Sequence, residues 1–304
     1  MGEKRYNDII RPRSWSEALP REGFRELERL KTGQDWYSVY RLDEDTLIIS
    51  EDGQFEENVN YLVTGSDRAA LIDTGDDLGD IRELVEKLTS LPVFVVNTHS
   101  HIDHIGGNYL FEEVWAYDHS ASRESAAIGV PHELALETIR PGSLCKPVPQ
   151  PFCEEIYHIP SYRVTHWITN GETIDLGRRT LKAIHTPGHA PDHLMFLEKE
   201  TGYLWAGDNF YEGCVYTHLP GGDLDVFIDT YRERILPLLG EVRLLLPSHN
   251  EPCYRPELLR EMLELAESAR RGEGSYETGG NGIRKYEGSC FSLMVKAGKA
   301  KKQA

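Results

Sequence analysis

Short apolar runs alternate with amphipathic segments along most of the chain. Runs rich in β-branched and aromatic residues predict strands over Thr46–Ser50, Asn58–Thr64 and Ala69–Asp73. Apolar positions at helical spacing predict a helix over Leu78–Leu88, and the apolar run Val93–Asn97 predicts a buried strand directly after it. Strands and helices therefore follow one another closely in this half of the chain.

The same two patterns continue in the second half. Further strands are predicted over Glu113–Tyr117, Thr180–His185, Leu194–Leu197, Tyr203–Trp205 and Val242–Leu246, and helices over Asp223–Leu238 and Pro256–Arg270. Mixed sheets with helices outside them would bury these apolar runs. We therefore expect a layered α/β domain.

Both ends of the chain differ in composition from this alternating region. Residues 1–35 are charged and carry a short helical pattern near Ser16–Leu30, so we expect a peripheral N-terminal extension. The domain is expected over residues 36–295, and a disordered basic tail over 296–304. Within the domain, the Pro-rich stretch 129–162 is long enough to be functional, so we expect a cover over a pocket, with a mobile linker as the alternative.

The charge balance is acidic. The 304 residues include 50 acidic and 33 basic side chains, and the formal net charge of -17 disfavours binding to nucleic acid or to an anionic membrane. Five cysteines occur without a C-x-x-C pair, so we expect reduced thiols and a cytoplasmic location. No apolar run approaches the length of about 18 residues that a membrane-spanning helix requires. The expected partner is a small molecule, and a homodimer is left open.

A histidine cluster follows the predicted strand Val93–Asn97. Three histidines and a carboxylate, His99, His101, Asp103 and His104, precede the glycines at 106 and 107. Imidazole and carboxylate groups bind zinc and similar divalent ions. The cluster favours a metal site over its alternative, a polar loop that happens to be rich in histidine.

Four further segments place an Asp or a His where a predicted strand ends. These residues are Asp73, His189, Asp208 and His249. Catalytic groups of α/β proteins gather at such positions. We therefore expect these side chains to join the histidine cluster.

With these residues the chain resembles the metallo-β-lactamase superfamily, whose signature is H-x-H-x-D-H followed by a distant His, an Asp after Gly, and a last His. The resemblance implies a four-layer αβ/βα sandwich with two mixed β-sheets and external helices. It also implies that His99, His101 and His189 hold one metal, that Asp103, His104 and His249 hold a second, and that Asp208 bridges the two. Asp73 would be a supporting residue or simply a turn former.

A site of this kind implies hydrolysis. Two divalent ions can share a hydroxide and hold it against a carbonyl group, and Asp103 can then relay a proton to the leaving group. Tyr211 and Tyr216 follow Asp208 closely and either donate a hydrogen bond to an oxyanion or pack within a loop. His193 and His218 are candidates for substrate or supporting contacts.

Departures from individual branches of the superfamily narrow the chemistry. His101 stands where di-iron relatives have Glu, so zinc is favoured, with iron or manganese as alternatives. Asp208 distinguishes the chain from true β-lactamases, which typically lack it. The stretches around Phe55 and Tyr211 are similar to acyl-CoA thioesterase-type members, and His193 to lactonases. The T-P-G-H that ends at His189 is similar to glyoxalase II relatives, although this chain lacks the Gly-Cys-Gly-Arg-like stretch that typically follows their bridging Asp. We expect hydrolysis of a small thioester, lactone or ester; a mononuclear iron oxygenase like persulfide dioxygenases, a phosphodiesterase and a noncatalytic scaffold are the alternatives.

Overall fold

The structure, a computed structural model, describes residues 15–296. Three β-sheets form within this range. The first has eight strands in the order of the chain, antiparallel from the first to the fifth and parallel from the fifth to the eighth. Its strands are β1 (Glu28–Leu30), β2 (Ser38–Asp43), β3 (Thr46–Glu51), β4 (Asn58–Thr64), β5 (Ala69–Ile72), β6 (Val93–Val96), β7 (Val114–Tyr117) and β8 (His166–Ile168).

The second sheet has five strands and the third has four. The second contains β9 (Thr173–Asp175), β10 (Thr180–His185), β11 (Leu194–Glu198), β12 (Tyr203–Gly207) and β14 (Leu244–Pro247), in the order β14-β12-β11-β10-β9. The third contains β13 (Gly213–Tyr216), β15 (Tyr276–Thr278), β16 (Ile283–Glu287) and β17 (Phe291–Lys296), in the order β13-β17-β16-β15. Each contains one parallel pair, so both are mixed.

The α-helices within residues 15–296 are short except for the last. They are α1 (Glu22–Arg25), α2 (Ile81–Leu88), α3 (Ile102–Ile105), α4 (Ser120–Ile128), α5 (His132–Ala135), α6 (Leu224–Thr230) and α7 (Leu258–Arg271). Asp80 caps α2 by accepting a hydrogen bond from the backbone of Glu83. None of these helices combines the length and the apolar character needed to cross a bilayer.

Four layers stack around the main hydrophobic cores. Phe94 of β6 and Phe196 of β11 meet in the core between the two large sheets. Val95 points to the opposite face, where it shares a core with Leu84 of α2, and Met195 shares another core with α6 and α7. Since neighbouring residues of a strand point to opposite faces, each buried strand contributes side chains to two hydrophobic cores, one on each face of its sheet. This arrangement confirms the expected four-layer sandwich of mixed sheets and external helices.

Some local expectations are wrong. The pattern near Ser16–Leu30 forms a 3₁₀ turn over Trp15–Ala18, the single turn α1 and the strand β1, rather than one helix. Pairing with β2 supplies the hydrogen bonds of β1, so tertiary context overrides the helical pattern. The predicted helix Asp223–Leu238 is regular only as α6 and continues as a π turn over Tyr231–Ile235 and a 3₁₀ turn over Leu236–Leu238.

The third sheet was not predicted as a unit. Of its strands, β13 is parallel to β17, which is far away in sequence, and β15 is exposed at all three residues. Short or exposed strands carry little hydrophobic pattern, because only a buried face enforces it. Residues 1–14 of the expected extension and 297–304 of the expected basic tail lie outside the described residues.

A buried ion pair in the second sheet also contacts the first sheet. Arg179 donates two hydrogen bonds to Glu198 at the end of β11, at 2.6 and 2.7 Å, and a third to the carbonyl of Asp45 in the β2–β3 turn. The Arg179 and Glu198 side chains are 10% and 1% exposed. Removing one partner of such a pair leaves a buried charge without compensation.

We therefore expect Arg179→Met to lower the free energy of unfolding by about 3–5 kcal/mol in urea titrations. Arg232, whose pair with Glu267 is partly exposed, is the control. Because water screens that pair, Arg232→Met should lower the free energy of unfolding by no more than about 1 kcal/mol. Equal losses in both variants would contradict a structural role for the buried pair.

Candidate metal centre

The candidate ligands lie at one edge of the fold, where strands of both large sheets end. Backbone hydrogen bonds of 2.7 Å connect the two sheets there, from Val59 to Ser248 and from Leu194 to Thr98. β6 leads into the histidine cluster, β12 into Asp208, and β14 into the segment with the last histidine. The side chains that follow these strands therefore converge in one place.

Two glycines provide the turns that orient two of these side chains. Gly188 (φ 138°) precedes His189, and Gly207 (φ 52°) precedes Asp208. These dihedral angles favour glycine, and the space beside each is closed. A Cβ atom on Gly207 would lie 2.5 Å from Nε2 of His193, and one on Gly188 would lie 2.4 Å from the Cα of Phe227. A larger residue at either position would displace its neighbour.

Three histidines form the first group of candidate ligands. Nδ1 of His101 lies 3.0 Å from Nε2 of His99 and 3.0 Å from Nε2 of His189. Burial lowers the pKa of all three rings, that of His189 to about 3. The rings are therefore neutral near pH 7, and each offers a lone pair to a cation.

A second group adjoins the first and contains Asp103, His104, Asp208 and His249, whose ligand atoms lie within 4.8 Å of one another. Nε2 of His249 lies 3.0 Å from Oδ1 of Asp208 and 3.4 Å from Oδ2 of Asp103. The other oxygen of Asp208 lies 3.5 Å from Nε2 of His189. The Asp208 carboxylate thus stands between the two groups.

In the second group, the charged carboxylates and the protonated rings stabilise one another. Burial opposes the ionisation of Asp103, but His104 and His249 outweigh it and lower the pKa of Asp103 to about 2. Burial likewise opposes the protonation of His249, yet Asp208 and Asp103 raise its pKa to about 9. This group therefore holds anionic carboxylates beside rings that carry positive charge until a cation replaces their protons.

Two ligand atoms of the second group are buried without a hydrogen-bond partner. They are Nε2 of His104 and Oδ1 of Asp208. Oδ1 of Asp208 lies 3.0 Å from Nε2 of His249, but the two atoms are not aligned for a hydrogen bond. An unsatisfied buried polar atom costs about 1–3 kcal/mol. Divalent ions would satisfy both atoms, and imidazole with carboxylate donors suits zinc. The residues present therefore fit a pair of divalent metal ions.

The outer ring nitrogens of three of the histidines bind protein oxygens. This fixes which nitrogen of each ring faces the site and how the ring is oriented. The contacts are from Nδ1 of His104 to Oδ2 of Asp73 (2.8 Å), from Nδ1 of His189 to the Tyr216 carbonyl (2.9 Å), and from Nδ1 of His249 to the Glu56 carbonyl (2.9 Å).

Asp73 supports the centre through more than its contact with His104. Its carboxylate also accepts hydrogen bonds from the backbone N–H and the hydroxyl of Thr98, at 2.8 and 2.7 Å. Asp73 has a φ of 60°, so these contacts hold it in a left-handed conformation. Sequence reasoning missed Thr98 and Glu56, because backbone contacts such as those of Glu56 leave no residue-type signal.

His193 and His218 lie beside the centre rather than among its candidate ligands. Nε2 of His193 accepts a 3.0 Å hydrogen bond from the backbone N–H of Asp208, and Nδ1 lies 2.9 Å from the Thr186 hydroxyl. His193 therefore positions the Asp208 backbone. Nδ1 of His218 lies 3.4 Å from the carbonyl of Met294 in β17, which ties this histidine to the third sheet.

Tyr211 packs its ring against His249, with ring centroids 4.8 Å apart. Its hydroxyl donates to the carbonyl of Cys214. A phenol has a single O–H, so this contact competes with the expected hydrogen bond to an oxyanion. Tyr216 lines the same cavity as Tyr211.

A cavity of about 450 Å³ opens beside His249 and Tyr211. Its outer walls come from Trp15, from Arg21 and from the segment 285–292. The Pro-rich stretch 129–162 instead lines a second cavity of about 420 Å³ together with α2, while Tyr157 packs under the first sheet. A covering role for this stretch stays a prediction.

The chain matches the model of the metallo-beta-lactamase superfamily over residues 54–270. It is 30% identical over 234 residues to the acyl-coenzyme A thioesterase MBLAC2 of Homo sapiens, covering 71% of this chain and 81% of that one. It is 23% identical to the hydroxyacylglutathione hydrolase GloC of Haemophilus influenzae, over 63% and 84% of the two chains. A metallo beta lactamase from Erythrobacter litoralis shares the fold at a TM-score of 0.53 and 19% identity, over 79% and 100% of the chains.

We expect Asp73→Asn to lower the affinity for zinc by about 10–100-fold in titrations against a competing chelator, because the carboxylate orients His104. Asp77→Asn is the matched control. Asp77 also has a positive φ, 61°, but its carboxylate accepts from Tyr109 instead of a candidate ligand. Unchanged zinc affinity in Asp73→Asn, or an equal loss in both variants, would contradict this role.

Proposed function

Because the chain belongs to the metallo-beta-lactamase superfamily and is a hydrolase of that family, we propose that it cleaves acyl thioesters with the help of two divalent metal ions. The two relatives described above act on an acyl-coenzyme A and on a hydroxyacylglutathione. Both compounds are thioesters, so they support a thioester substrate over a lactone or a simple ester.

The observation that carries the proposal is the position of Asp208 between two groups of buried ligand atoms. His99, His101 and His189 would hold one ion, Asp103, His104 and His249 the other, and Asp208 both. When bound, the ions would supply Lewis-acid activation of water and of the substrate carbonyl. Zinc fits this donor set best.

Side chains of the protein would carry out the remaining steps. The carboxylates of Asp103 and Asp208 offset the positive charge that the site gathers. Asp103, whose carboxylate lies beside His104 and His249, would carry a proton toward the leaving thiolate. His193 keeps the Asp208 backbone in place, and Asp73 does the same for the His104 ring. The Asp208 backbone and the His104 ring are therefore already oriented for the proposed reaction.

We also infer a reducing, cytoplasmic setting. All five cysteines are free, and three of them, Cys145, Cys153 and Cys290, are exposed. Exposed thiols persist where the surroundings keep them reduced.

The reaction is tested with acetyl- and butyryl-coenzyme A, an acyl-homoserine lactone and a simple ester, on protein whose metal content is measured. We expect thioester cleavage by protein with about two zinc ions per chain. Asp208→Asn should lower kcat/KM more than about 100-fold and reduce the zinc content, because a ligand matters more than its supporting residues. Asp225→Asn, at an exposed position of α6, should change neither. Iron with oxygen uptake, or cleavage of the lactone alone, would overturn the proposal.

A second test concerns Tyr211. Since its hydroxyl already donates to Cys214, we expect Tyr211→Phe to lower kcat of thioester cleavage less than tenfold, as for a wall residue. An oxyanion donor would instead cost about 10²–10³-fold in kcat. The measured kcat decides between the two roles, with unchanged zinc content as the check on folding.

A further inference from the structure

Nine of the 19 residues that line the cavity beside the metal centre lie outside the family match. Its inner end is formed by Glu56, Tyr211 and His249, which lie within residues 54–270. Its outer walls are Trp15 and Arg21 from the N-terminal side and the segment 285–292 from the C-terminal side. Residues on both sides of the family match therefore contribute to the outer walls of this cavity.

The walls are firmly held. The indole N–H of Trp15 donates a 3.0 Å hydrogen bond to the carbonyl of Gly142. Phe291 is 3% exposed and packs edge-on against Phe210, with ring centroids 5.3 Å apart. Ser289, in the turn between β16 and β17, donates to Glu261. Anchored walls with aromatic rings are suited to an apolar group of defined size.

The charges in the outer part of the cavity are paired with one another. Arg21 donates two hydrogen bonds to Glu57, at 2.6 and 2.7 Å, and lies 3.7 Å from Glu212. Lys285 forms a 2.6 Å ion pair with Glu287. In this outer part of the cavity, away from Glu56 and His249 at its inner end, three carboxylates exceed two basic side chains, so an anionic group would enter at an electrostatic cost.

We propose that this cavity receives the acyl group of the thioester and that Trp15, Ser289 and Phe291 limit its length. Coenzyme A carries phosphates, which the carboxylates of the cavity repel, so the carrier lies outside and the uncharged acyl chain inside. The same charges select against acyl groups that end in a carboxylate. This assignment rests on the proposed thioester hydrolysis.

The length limit is tested with acetyl-, butyryl- and octanoyl-coenzyme A. Ser289→Trp narrows the cavity, so the ratio of kcat/KM for octanoyl- to acetyl-coenzyme A should fall at least tenfold, and Ser289→Leu should give an intermediate ratio. Thr278→Trp, on the same small sheet but away from the cavity, should leave the ratio unchanged. Zinc content and thermal unfolding confirm that each variant is folded, and Ser289→Leu decides alone if Ser289→Trp does not fold.

The charge rule is tested with butyryl- and succinyl-coenzyme A. In wild-type protein, kcat/KM for butyryl-coenzyme A should exceed that for succinyl-coenzyme A at least tenfold. Glu212→Gln should lower this ratio. Glu277→Gln, exposed on β15, is the control. If the wild type cleaves no thioester, the proposed function is wrong. If it cleaves them but Ser289→Trp, Ser289→Leu and Glu212→Gln all keep the parental preferences, only the pocket assignment is wrong.

Discussion

Seven ligand-type side chains share one buried site at the edge where the two large sheets meet. Water can satisfy few of these groups, so their polar atoms need partners within the molecule. The outer nitrogens of His104, His189 and His249 find protein oxygens, whereas Nε2 of His104 and Oδ1 of Asp208 face the interior without one. The surrounding turns, glycines and supporting contacts all serve to keep the inner atoms directed at the same small volume.

The sequence revealed the parts of this site that depend on residue type. The cluster from His99 to His104 is local, and the strands that carry Asp208 and His249 are buried on both faces, so their apolar runs are plain in the chain. The Glu56 carbonyl was missed because its role comes from backbone position, and Thr98 because its hydroxyl meets Asp73 only in the folded chain. The third sheet was missed because β13 is short and only partly buried and β15 is short and exposed, so little hydrophobic pattern marks them.

The cavity illustrates a different limit on sequence reasoning. Trp15 and Phe291 come from opposite ends of the described chain, and neither stands near a motif. Only tertiary structure brings them to the same side of His249. The candidate metal ligands of this chain can thus be read from its motifs, while the outer walls of the cavity lie in segments that carry no motif.

The hydrogen bonds around the candidate ligands also bear on how the protein acquires its metal. Asp73, the Tyr216 carbonyl and the backbone contact with His193 are parts of the folded chain itself. A side chain held in this way loses little conformational freedom when an ion arrives. Residues that never touch an ion would therefore contribute to the affinity of the site, because they limit the orientations open to the groups that do.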